Sequence, residues 1–166
     1  MTETTRQPCS PRSEARALQA VRLATDRDLT VDAIGRIAQL HTSEIPGGFL
    51  TQFGEAFLRL VYGTIADHRD SFIIGVIVGH DLMGFICGST DTSGLYRKFA
   101  LSRGLLTLRT VLPAALRPRM LRGMMETVRY PSRPIPGLPR AAILNFAVDP
   151  AMRGRGLGNR LLHALG

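Results

Sequence analysis

The apolar positions of the chain follow two periods, and the changes between them lay out its elements. Leu18 to Thr25 (LQAVRLAT) alternates in part between apolar and polar residues, which predicts a short first strand. From Asp32 to His41 the spacing lengthens: Ile34, Ile37 and Leu40 recur every three residues, as in a helix with one face on a sheet. Pro46-Gly47-Gly48 ends that segment, because proline and paired glycines favour a turn. Leu50, Phe53, Phe57, Leu60, Val61 and Ile65 then share one stripe, predicting a second helix. Phe72 to Val78 and Leu82 to Gly88 are β-rich runs around Gly79-His80-Asp81, the pattern of an antiparallel hairpin.

Residues 92–137 are less regular. Thr92 or Ser93 is placed to cap a helix starting at Gly94, and Pro113 to open another. Breaks at Gly104, Pro113 and Pro118 divide the segment into two or three short helices. Leu121, Met124, Met125 and Val128 form a packing stripe opposite Arg119, Arg122 and Arg129. PSRPIPGLP, residues 131–139, reads as a connector, followed by a strand over Ala141 to Val148, a glycine-rich loop and an apolar helix. The expected class is α/β (α+β): helices against a mixed, largely antiparallel sheet, with a helical insertion before the last strand. Residues 1–16 are polar and expected to be a disordered tail, leaving 17–166 as a single domain.

Composition sharpens this picture in a few places. Hydrophobic residues make up 45% and charged ones 20%, ordinary values for a globular chain with a real core. Net charge is +8, and between Asp91 and Arg140 ten Lys or Arg residues face two acids. That basic insertion is either a solvated face or a dock for an anionic surface or an acidic carrier. The first alternative to an enzyme is therefore a binding module acting through residues 92–137. Nucleic acid is not expected as the main partner, since Trp is absent and aromatic and basic residues do not interleave. The longest apolar run, Phe72 to Val78, is too short to span a bilayer, and no apolar segment follows the basic start. With two cysteines, Cys9 and Cys87, a cytoplasmic location is the expectation. The histidines at 41, 68, 80 and 163 are scattered, so no metal site is expected.

The candidate chemistry sits in DPAMRGRGLGNRLLHALG, residues 149–166. A helix opening near Gly156 leaves its first N–H groups without intrahelical partners, which suits a phosphate or diphosphate. Glycines at 154, 156 and 158 remove side chains that would hold an anion away, while Arg153 and Arg155 add charge. A Walker A loop is excluded, because no Gly-Lys-Ser/Thr is present. A dinucleotide fold needs an acidic residue about twenty positions on, and only eight residues follow Gly158. A purely structural glycine turn is the remaining alternative.

The stretch LNFAVDPAMRGRGLGNRLL, residues 144–162, resembles the acetyl-CoA-binding motif of the GNAT superfamily of N-acetyltransferases. That motif has the pattern Q/R-x-x-G-x-G/A, matched by Arg153, Gly156 and Gly158, and the strand ending in Ala147-Val148 before Asp149-Pro150 is also similar. The order of elements extends the resemblance over about residues 18–166. The basic insertion and EIPGGFL at 44–50 look like a subgroup associated with surface-sugar pathways. The resemblance implies acetyl-CoA as co-substrate, with its diphosphate on Arg153, Gly154, Arg155, Gly156, Leu157, Gly158 and Asn159. The pantetheine arm would run beside Phe146, Ala147 and Val148, with a backbone N–H near Val148 polarising the thioester carbonyl.

The acceptor is then a primary amine of a small molecule, an amino sugar for example, attacking the thioester directly. The expected base is Glu44, at the junction of helix and loop, with a solvated loop acid as the alternative. His41, one turn earlier, is placed to share that role or simply to end a helix. Asn145 is expected to hydrogen-bond acceptor or cofactor, or to satisfy backbone. Tyr96 and Arg97 are placed for an anionic acceptor group, and Cys87 reads as a small core residue. GNAT domains continue past this helix with a strand, a helix and a hairpin, so a C-terminally truncated domain of doubtful activity is expected.

Overall fold

The computed structural model describes residues 21–102 and 141–166. Strand β1 (Val21–Thr25) leads through a 3-10 turn to helix α1 (Val31–Glu44). A second 3-10 turn (Leu50–Phe53) precedes helix α2 (Glu55–Ala66), and the hairpin β2 (Ser71–Val78) and β3 (Asp81–Ser89) comes next. Helix α3 begins at residue 92 and is described as far as 102. Strand β4 (Ala142–Val148), a 3-10 turn (Pro150–Met152) and helix α4 (Leu157–His163) complete the described chain. The tail expected over 1–16, the connector at 131–139 and all of the insertion beyond 102 lie outside the described residues.

The four strands form one antiparallel sheet in the order β1-β2-β3-β4. Period-two alternation sends its two faces to different helices. On one face Ile73, Phe85, Cys87 and Ala147 pack with Ile37, Leu40, Leu58, Tyr62 and Ile65 of α1 and α2. On the other, Val76, Val78 and Ile86 meet Met152, Leu157 and Leu161, so α4 covers the opposite side. The sheet is thus sandwiched between helices.

Two irregularities interrupt the pairing. The β2–β3 register skips Met83, and the β3–β4 register skips Leu144. The skipped Leu144 shifts the alternation of β4, so that Leu144 and Ala147, three positions apart, both pack toward α1 and α2. Met83, left out of the β2 pairing, accepts the N–H of Asp149 through its carbonyl at 2.8 Å. Pairing of β3 with the chain beyond β4 is thereby extended to the corner residue.

Several boundaries differ from the expected ones for local reasons. Helix α1 runs one turn past His41 to Glu44, because Ile45 N–H still bonds His41 C=O at 2.9 Å. Its start is fixed by Thr30, whose side chain accepts from Ala33 N–H. The single helix expected from Leu50 is broken at Gly54, whose φ of 84° stops the 3-10 turn and opens α2. The aromatic stripe survives the break, with Phe49, Phe53, Phe57 and Phe99 stacked pairwise. Helix α3 is capped not by Thr92 or Ser93 but by Asp91, whose carboxylate accepts from Gly94 N–H at 2.9 Å. Helix α4 has seven residues and begins at Leu157.

Candidate functional site

The site is built on the corner that comes after β4. Asp149 is held three ways: its N–H bonds Met83 C=O, one carboxylate oxygen caps Ala151 N–H at 3.0 Å, and the other takes Arg36 of α1 at 2.8 Å. Pro150 occupies the first position of the 3-10 turn, where no N–H is required. Met152 and Leu157 are buried in the second core, so they pin both ends of the intervening loop. Arg153, Gly154, Arg155 and Gly156 are left to project between those anchors.

Gly154 and Gly156 have φ of 74° and 75°, and a Cβ built on either meets nothing within 4 Å. The positive φ values are needed for the turn, while the open space beside them belongs to a cleft. The backbone N–H groups of Gly154, Gly156, Leu157, Gly158 and Asn159 have no hydrogen-bond partner among the described residues. Successive unpaired amides around left-handed glycines make a concave donor surface suited to an anion.

The cleft measures about 340 Å³ and is lined by Glu44, Phe146, Ala147, Val148, Met152, Arg153, Gly154, Gly156, Leu157 and Gly158. One wall is the edge of β4, which pairs with β3 on its other side. Since Asp149 N–H points at β3, the alternation of the pleat turns the N–H and C=O of Val148 toward the open edge. Gly158 lets α4 approach that wall, because a Cβ there would lie 3.3 Å from the Phe146 ring.

Most residues expected to bind the co-substrate are brought together here. Asn145, Arg155 and Asn159 do not line the cleft, and Met152, missed at the sequence level, does. Met152 serves both the core and the cleft wall. Glu44 reaches the cleft as the last residue of α1, and its carboxylate pairs with Arg153 Nη2. Ser43 Oγ donates to the other Glu44 oxygen at 3.0 Å. Arg153 Nε also reaches the Val148 carbonyl at 3.4 Å. The glutamate is therefore neither a solvated loop acid nor a free base.

The remaining candidates are placed elsewhere. His41 points into the core, 2% exposed, with Nδ1 2.5 Å from Tyr62 Oη. Burial lowers its pKa from the usual 6.5, so it is neutral, and its Nε2 has no partner among the described residues. Burial also pushes the Tyr62 hydroxyl well above its ordinary value. Asn145 sits opposite Cys87 in the β3–β4 register. Burial pushes the Cys87 thiol up to about 12, partly offset by hydrogen bonds with Asn145, so it is an inert core residue. Tyr96 and Arg97 lie on α3, half-buried and exposed respectively, away from the cleft lining.

His68, Asp70 and Asp91 meet at the far end of the hairpin, with ligand atoms within 4.8 Å of one another. Asp70 is paired with Arg69, Asp91 caps α3, and His68 Nδ1 bonds Ser71 Oγ at 3.0 Å. Each of these groups has a structural partner, and the corner is separate from the cleft.

The terminal motif thus lies beside a cleft at the edge of β4. The Acetyltransferase (GNAT) family model matches residues 35–165. The chain belongs to this family. No curated protein and no solved structure gives a match. The matched span begins in α1 and ends at the close of α4, so it takes in both walls of the cleft. The GNAT assignment agrees with the α/β architecture, a sheet with helices on both faces. No described helix is long and apolar enough to cross a membrane.

Proposed function

We propose that this chain moves an acetyl group from acetyl-CoA to the primary amine of a small molecule, an amino sugar being one candidate class. The observation that carries the reading is the set of amides of Gly154, Gly156, Leu157, Gly158 and Asn159, unpaired among the described residues, beside a cleft. These donors fit a diphosphate: the glycines have bare space on the cleft side, the amides lack acceptors among the described residues, and Arg153 lies in the cleft lining. The outward N–H and C=O of Val148 suit an extended amide-bearing arm added along β4. Acetyl-CoA supplies the acyl thioester. The residues of the chain orient it, and the Val148 N–H is the donor placed where charge develops on a carbonyl oxygen.

Attack requires an unprotonated amine. Glu44 is the carboxylate in the cleft and takes the proton-handling role once it is released from Arg153, while Asn145 lies outside the cleft lining opposite Cys87. Calorimetric titration with CoA at low salt tests the reading. Saturable binding is expected, lost when Gly156 is replaced by a bulky residue; no heat at millimolar CoA overturns it. Release of free CoA thiol from acetyl-CoA across a panel of amines then identifies the acceptor.

A further inference from the structure

The cleft contains a negative charge that the cofactor reading does not call for. Glu44 lies in it with a side chain only 10% exposed, among donors suited to a diphosphate. Two like-charged groups in one partly enclosed cleft repel, and the structure resolves this by giving the carboxylate to Arg153. The same guanidinium reaches the Val148 carbonyl through Nε. Arg153 therefore joins the end of α1 to the end of β4, across the space between them. It is itself the cation that a diphosphate seeks, and it occupies the edge carbonyl that an extended arm would pair with.

We infer that Glu44 is a built-in competitor for Arg153: it acts as the cleft's internal counter-anion and sets the affinity for the diphosphate. Binding exchanges one anion for another on the same guanidinium. Arg153 turns from Glu44 to the diphosphate, and its hold on the Val148 carbonyl is released in the same movement. The carboxylate so freed becomes the subsite for a cationic amine, at the wall where the acyl group lies. Arg153 is suited to the exchange because its side chain is 59% exposed and has room to swing, whereas Glu44 is confined. The loop itself need not move, since Met152 and Leu157 anchor it and the Arg36–Asp149 pair braces the corner independently. This inference rests on the acetyl-CoA reading and assigns a residue of the same site.

Calorimetry with CoA, and with inorganic pyrophosphate as a minimal probe, tests it on four chains: wild type, Glu44→Gln, Arg153→Gln and the double variant. Glu44→Gln is expected to bind both probes about two- to fivefold more tightly, the range for removing one partly exposed competing pair. Arg153→Gln is expected to bind more weakly, and adding Glu44→Gln to it is expected to restore little, because the competitor then has nothing to compete for. Thermal melts establish that each chain is folded, and Glu44→Asp, which shortens the reach, substitutes for a Gln variant that is not. Wild type that binds CoA while Glu44→Gln binds equally or less tightly overturns the inference and leaves the acetyl-CoA reading standing. An equal gain with and without Arg153 shows simple repulsion rather than exchange, and overturns it too. Wild type silent to CoA removes the cofactor reading and the inference together.

Discussion

Replacing Gly156 by alanine separates the shape of the loop from its use. The residue sits at φ 75° and ψ 6°, a left-handed conformation that costs an L-residue about 1–2 kcal/mol. Its added Cβ meets no protein atom within 4 Å, so no clash increases the folding cost. For a chain of this size that loss lowers the melting temperature by about 2–8 °C. The methyl group does, however, enter the cleft where the unpaired amides converge. A diphosphate held by those amides would be pushed outward, and CoA affinity is expected to fall more than tenfold, about 1.4 kcal/mol or more. Gly79→Ala is the control: its φ is 67°, its Cβ is also unopposed, and it lies in the β2–β3 turn away from the cleft. Melting curves and CoA titrations on both variants decide the matter. Equal loss of stability with unchanged CoA affinity in Gly156→Ala would refute the placement of the anion.

The packing leads to three other expected outcomes. Because burial lowers the His41 pKa below 6.5, the unfolded chain takes up this proton first on acidification. The stability involved is complete above pH 6.5 and is lost as the pH falls from there toward the folded-state value. Urea unfolding at about pH 7.5, 6.5 and 5.5 should show that decline, and a His41→Gln chain declining just as much would disprove its origin. Leu161→Ala removes a fully buried side chain between α4 and the sheet and should cost about 2–5 kcal/mol, read as a shift in the urea midpoint. In a Cys9→Ser background, Cys87 should react with a thiol reagent only as fast as the protein opens, since its thiol is buried and raised to about 12. Rapid stoichiometric labelling of the native chain would contradict that.

The elements most legible in the sequence were those whose apolar period is decided by one large partner surface. The hairpin was marked by two β-rich runs and a glycine turn, and Ile37 and Leu40 of α1 are fully buried as their spacing required. The breaks were harder, because side chains do not announce where a backbone changes type. Phe53 and Phe57 share a stripe on either side of Gly54, so periodicity alone ran one helix through a residue at positive φ. The cap of α3 was misplaced by a residue or two for a similar reason: Asp91, Thr92 and Ser93 all carry short acceptors, and only the backbone selects Asp91. The glycine loop was the most readable feature of the site, since its spacing encodes conformation directly. Asn145 was the least readable: only its pairing partner across the sheet, Cys87, and its distance along β4 from the loop place it outside the cleft lining.

Glu44 shows why a charged residue can be located from sequence while its circumstances cannot. Its proximity to the site came from the end of a helix that packs on β4, yet its partner is 109 residues away in the chain. Arg36 and Asp149 are likewise 113 residues apart. In both pairs one member comes from α1 and the other from the corner after β4, with the signs reversed between them. An arginine earlier in α1 meets the corner acid, and a glutamate at its end meets the loop arginine. Interchanging Arg36 and Glu44 would set like against like at both contacts, so the pattern favours one seating of the helix against the loop. The cost of that seating is a carboxylate beside the anion site. A fold that needed only rigidity could have used an uncharged contact there. Under the proposed exchange that charge yields when an anion arrives, which ties the packing of α1 to the chemistry of the cleft.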